Sequence, residues 1–255
     1  MRLLRLVHLG RSLPLTTALS TAPAGRPAGG IRWWSVVSAS AAPLLLAGGW
    51  SLAAGRQPAG YDSVRDTISA LAARGATDRW IMTSALAGVG ACYVVSGLGI
   101  RAAKRTGRVF LVGGGVATVL VALFPQPARG NSVAHTVAAT AAFTALAAWP
   151  ALAARKGSEA PLLRPRISIA ATLTSFGLLI WFVLEAHGSH RGVAERAAAL
   201  TEALWPFLVV ATSLGAAASS GSAALDGRDE GADYTFDVRN LKTAPDGSAT
   251  VAKRP

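Results

Sequence analysis

Measured between successive charged residues, the chain divides into long uncharged stretches joined by short polar ones. Six stretches are long enough to matter: 33–55, 80–100, 109–128, 130–154, 167–184 and 203–225. A helix needs about 20 apolar residues to cross about 30 Å of hydrocarbon, and each stretch meets or approaches that length. The third is shortened by FPQP at 124–127, because proline ends a helix and biases the residue before it; its apolar core is 109–124. None of the stretches alternates with period two, so the spans are read as helices that satisfy their own backbone groups rather than as barrel strands. The pattern predicts an all-α fold: an integral membrane bundle of six transmembrane helices over residues 32–220. Residues 1–31 form a basic arm before it, and residues 221–255, rich in Gly, Ser and Asp, read as a disordered tail. Arg11 interrupts what would otherwise pass for a signal-peptide core, so a cytoplasmic arm is the reading and a cleaved signal its alternative. In the tail, YTFDVRNL at 234–241 has the alternative reading of a short docking segment.

Composition agrees with the pattern: 51% of residues are hydrophobic, only 15% are charged, and the mean hydropathy is +0.40. The net charge of +12 is distributed over short loops, where it orients membrane helices, and does not form a nucleic-acid-binding surface. With the N-terminus inside, segments 1–32, 101–108 and 155–166 carry 13 Lys and Arg against 7 in 55–79, 126–131 and 185–202, which predicts both termini in the cytoplasm. Tryptophans fall near the expected interfaces: Trp33, Trp34 and Trp149 at inner ends, and Trp50, Trp80, Trp181 and Trp205 at outer ends. Gly88, Gly90, Ser96, Gly97 and Gly99 of the second span, with Gly113, Gly114 and Gly115 of the third, are small enough for close helix packing.

The first outer loop carries YDSVRDTISALAARGATDRW at 61–80, more charge and helical propensity than a connector requires. Ser63 followed by Asp66 approximates a capping box and Gly75 suits a helix end, which predicts a short amphipathic helix over about 64–74. Val64, Ile68 and Leu71 would face the membrane or the bundle. Asp62, Arg65, Asp66 and Ser69 would lie together on the other side. The plain alternative is an interfacial helix whose charges face water.

Two further features share that side. His135 is the only ionisable residue within the fourth span, about one turn below its outer end, and an ionisable group at such depth is a functional-site candidate. Its own alternative is a histidine satisfied by a nearby carbonyl or by water. The third outer loop brings Glu195, Arg196 and Glu202 toward the sixth span, with Glu195 and Glu202 on one helical face and Ala199 leaving room between them. The candidate outer polar cluster is therefore Asp62, Arg65, Asp66, Ser69, His135, Glu195 and Arg196. HGSH at 187–190 would offer His187 and His190 to a metal beside His135, but that spacing is a weak signal and no HExxH is present. The single cysteine, Cys92, lies in an apolar run and has no disulfide or CxxC partner. Nucleophile-elbow, P-loop and dinucleotide fingerprints are absent, so no cofactor is expected.

The order of these motifs resembles a known family. Y-D-x-V-R-D-T-I-S after the first span, G-A-T-D-R-W-I-M at the entry to the second, F-P-Q-P followed by His135, and A-E-R before the sixth resemble the bacterial multi-pass membrane proteins grouped as domain of unknown function 998, over about residues 31–220. The resemblance implies a six-helix integral membrane protein and no established activity. Two functions remain open on the residues. One is binding of a lipid head group, small molecule or partner by the outer cluster, with the lipid bilayer as the surrounding partner and no nucleic acid. The other is a membrane-embedded, lipid hydrolase-like enzyme using Asp66, His135 and Glu195 as acid and base.

Overall fold

The computed structural model describes residues 31–229 together with 242–243 and 249–250. Most of the basic arm, and the YTFDVRNL segment of the tail, lie outside the described residues. The elements are helices α1 (Trp33–Ala54), α2 (Ile68–Leu71), α3 (Trp80–Gly99), α4 (Arg105–Leu123), α5 (Val133–Ala153), α6 (Pro165–Leu184) and α7 (Arg191–Asp229), with a 3-10 turn at Pro161–Leu163. Six of them are long and apolar enough to cross a membrane, the sixth by its stretch Arg191–Ser219. Among the described residues, extended pairing is confined to the rung of Lys242–Thr243 against Ala249–Thr250 and the bridge between Ile31 and Ile100.

The helices close into a ring. Helix α1 packs on α3, α3 on α4, α4 on α5, α5 on α6, α6 on α7, and α7 returns to α1. Close approach depends on the small residues at the α3–α4 seam. A methyl group at Gly90 would fall 2.6 Å from the Gly115 carbonyl oxygen, and one at Gly115 would fall 2.6 Å from that of Gly90, so neither position accepts a side chain without separating the backbones. Gly113, two residues before Gly115, faces open space. Helix α6 differs from the rest, with only 11% of its apolar window buried and with Leu173, Ile180, Val183 and Leu184 exposed. A helix apolar all round and so little covered by protein is suited to lipid.

Four details depart from the pattern-based limits. Helix α4 begins at Arg105, inside the expected basic loop, and its last residue is Leu123, just before FPQP. Helix α7 begins at Arg191 instead of 203, so Glu195, Arg196 and Glu202 are helical residues of the last span. The same helix continues to Asp229, past the expected boundary at 220. Trp149 is fully buried and belongs to the core, whereas Trp33 and Trp80, 75% and 66% exposed, occupy helix ends where interfacial tryptophans belong.

Candidate functional site

The site is built where the 55–79 loop folds onto the N-terminal turns of α7. Carboxylates near a helix start compete with the helix for backbone donors, and here they win. Asp62 Oδ1 accepts from Val64 N–H at 2.8 Å, and Asp66 Oδ2 accepts from Asp62 N–H at 2.8 Å, so residues 62–66 form a turn and the expected helix over 64–74 is reduced to the single turn α2. Its cap is Thr67, whose hydroxyl accepts from Ala70 N–H at 3.1 Å, not Ser63. Ile68 and Leu71 are buried, as their spacing predicts, while Val64 is exposed.

Helix α7 grips this turn through four residues. Gly192 and Val193 donate their N–H groups to the Val64 carbonyl at 2.9 and 3.1 Å, which satisfies donors that a helix start leaves unpaired. Arg196 Nη1 donates to the carbonyl oxygens of Ser63 and Asp66, both at 2.8 Å, and its Nη2 donates to the Tyr61 hydroxyl at 2.6 Å. Its guanidinium also lies over the Trp50 ring, 5.9 Å from the centroid. Glu195 is buried; its Oε2 accepts from Ile68 N–H and its Oε1 from the Ser69 hydroxyl at 2.9 Å. The carboxylate thus takes the first backbone donor of α2, which a helix start leaves unpaired, together with the neighbouring Ser69 hydroxyl. The fit needs a glycine: a methyl group at position 192 would run into the Asp66 carbonyl and lie 2.6 Å from the Ser63 oxygen.

Two spaces meet at Glu195. A central cavity of about 60 Å³ lies within the ring, lined by residues that include Tyr93, Thr118, Glu195 and Glu202. Beside it a groove of about 660 Å³ opens along α5 and α6. Ser69, Ala139, Phe143 and Glu195 line both. The groove has a polar end, with Thr67, Ser69, Gln126, His135 and Arg191, and an apolar wall that includes Phe143, Phe176, Leu179, Ile180 and Val183. His135 is buried in the first turn of α5, where Nδ1 pairs with the Phe124 carbonyl oxygen at 2.9 Å.

Of the seven cluster residues expected from the sequence, the structure brings Ser69, His135 and Glu195 to the groove. It places Asp62, Arg65 and Asp66 elsewhere: Asp62 and Arg65 form an exposed ion pair at 3.0 Å, and Asp66 closes the turn. Arg196 acts as the clamp on that turn. Asp66, His135 and Glu195 are not joined by hydrogen bonds to one another, since each is bonded to a different partner. His190 Nδ1 pairs with the Ser189 hydroxyl at 3.0 Å, and among the described residues no three His, Cys, Asp or Glu come together as a metal-binding group.

Residues 39–212, covering the bundle from α1 into α7 and all of this site, match the family described as "Protein of unknown function (DUF998)". The chain belongs to the DUF998 family. Neither curated proteins nor solved structures gave a match. For this DUF998 protein the family description names no function, so the chemistry has to be read from the site itself. Sequence reasoning missed Arg191, Thr67 and Gln126 as groove residues, and it placed Glu202 at the mouth of the last span although the carboxylate is buried in the centre. Arg191 could have been found from HGSHRG, where turn-forming residues precede a basic residue at a helix start.

Proposed function

We propose that this membrane protein binds an amphiphile, with an acyl chain along the α5–α6 wall and an anionic head group at the polar end beside Arg191. The carrying observation is the division of one groove into a long apolar wall and a compact polar end. Its volume, about 660 Å³, falls within the range of about 300–1,000 Å³ typical of small-molecule sites. Charge supports the choice of head group: among the described residues the ion pairs are Arg56–Asp78 and Asp62–Arg65, and Arg191 belongs to neither. Glu195, the acidic group nearby, already accepts from Ile68 and Ser69. The exposed face of α6 supports entry from the bilayer side, because Ile180, Val183 and Leu184 line the groove and are also uncovered by protein.

The same proposal orients the protein in the cell membrane with the α2 end outside and both termini in the cytoplasm, supported by the 13 to 7 excess of Lys and Arg at the opposite end. The head group would then be taken from the outer leaflet. Native mass spectrometry of the detergent-purified chain tests the binding: the wild type retains an anionic lipid adduct, Arg191→Ala retains less, and Thr140→Trp, which fills the groove, retains none. Equal occupancy in all three would overturn the reading.

A further inference from the structure

Glu202 presents a problem that the groove does not answer. It lies eleven residues along α7 from Arg191, about 16 Å at 1.5 Å per residue, which is near mid-depth for a span of about 30 Å. Its side chain is 2% exposed, and Oε1 has no hydrogen-bond partner. Pro206, four residues on, has no N–H to give the Glu202 carbonyl, so the helix is also short of a bond there. Burying such a group without compensation is costly, and an acid retained at that depth marks a candidate ion or proton site.

The surroundings narrow the ligand. Tyr93 faces the same cavity from α3, Thr118 from α4, Ser69 from the loop end and Glu195 from higher on α7; α1 and α5 contribute only apolar side chains, and α6 contributes none. No arginine, lysine or histidine lines it, so no counter-charge is supplied. A metal cation prefers six or more oxygens. Here only two carboxylates line the space, Glu195 is already engaged by Ile68 and Ser69, and among the described residues no three His, Cys, Asp or Glu come together as a metal-binding group. The cavity, about 60 Å³, has room for a few waters at roughly 10–15 Å³ of such volume each, and it meets the groove at Ser69 and Glu195.

We propose that Glu202 is a proton-binding site within the bundle, exchanging with solvent at the α2 end through water in the central cavity. A hydronium entering at the groove passes its proton along the cavity water to Oε1, leaving a neutral carboxylic acid and water; release runs the same way in reverse. The proposal does not rest on the amphiphile reading: although the two spaces meet at Ser69 and Glu195, the Glu202 carboxyl and its cavity are there whether or not the groove binds lipid.

Infrared difference spectroscopy of the full chain in lipid nanodiscs tests it. The wild type shows a carboxylic-acid carbonyl band that is displaced on transfer to deuterium oxide and lost as pH is raised; Glu202→Gln loses the band, and Glu202→Asp moves it. Ala199→Leu, which fills the space between Glu195 and Glu202, slows the deuterium displacement. Identical acid-region spectra in wild type and Glu202→Gln would overturn the proposal, as would a wild-type band unchanged by deuterium and by pH. Sodium-dependent loss of the band at constant pH would overturn it in favour of a metal cation.

Discussion

The Arg196 guanidinium donates to the backbone carbonyl of Asp66 at 2.8 Å, while the Asp66 carboxylate turns back to the N–H of Asp62. The charges of YDSVRDTIS therefore serve mainly to shape a turn that α7 can hold. Their nearest electrostatic partners lie within the segment itself.

Arg196→Ala leaves the Ser63 and Asp66 carbonyls and the Tyr61 hydroxyl without their donor, and it is expected to destabilise the protein by about 1–3 kcal/mol, the range for polar groups left unsatisfied. Arg196→Lys should recover only part of this, because an ammonium cannot reproduce the planar fork that reaches Ser63, Asp66 and Tyr61 together. Thermal unfolding of the purified variants reads the difference; equal stability of Arg196→Ala and wild type would contradict the clamp.

Gly192→Ala and Gly113→Ala separate close packing from helix propensity. Replacing a helical glycine by alanine gains up to about 1 kcal/mol from propensity at either position. At Gly113, which faces open space, the expected change is neutral or stabilising. At Gly192 the added methyl meets the Ser63 and Asp66 carbonyls, and a net loss is expected, since overpacking costs typically about 1–3 kcal/mol. A lower melting temperature for Gly113→Ala than for Gly192→Ala would show that the loop does not press on α7.

Asp66→Asn and His135→Ala act on separate hydrogen-bond networks, one closed on Asp62 and the other on the Phe124 carbonyl. Their stability effects are expected to add within about 0.3–0.5 kcal/mol in a double-mutant cycle. Coupling beyond that would place both residues in one shared pocket.

Much of this was legible in the sequence, for a physical reason. Membrane spans must be apolar over a fixed length, so gaps between charges located all six helices, and FPQP marked the end of α4. The same rule misplaced Glu202: a method that takes charges as boundaries puts any buried acid at the edge of a span, whereas α7 carries this one inside. The 62–66 turn was missed because Ser63 and Asp66 resemble a capping box, yet the Asp62 carboxylate captures Val64 N–H, a competition that spacing does not rank. Glu195 and Glu202 were placed on one face by their separation of seven, and both do line the central cavity. The groove wall depends on how α6 leans on α5, which no local pattern encodes.

Topology has its own check. A reporter active only outside the cytoplasm is expected to stay silent when fused after Asp229 and to be active when inserted in the 55–79 loop. The reverse pattern would invert the orientation and put the groove mouth on the cytoplasmic side.

Photocrosslinking tests the central claim most directly. The wild-type chain, reconstituted with an anionic lipid bearing a photoactivatable group near the middle of its acyl chain, is illuminated and the labelled peptides are mapped. Saturable labelling concentrated on α5 and α6 around Phe143, Phe176 and Ile180, and reduced by Thr140→Trp, is the predicted result. Labelling spread evenly over the exposed apolar faces, with Leu44, Leu52 and Leu98 marked as strongly as the groove and no response to Thr140→Trp, would contradict it.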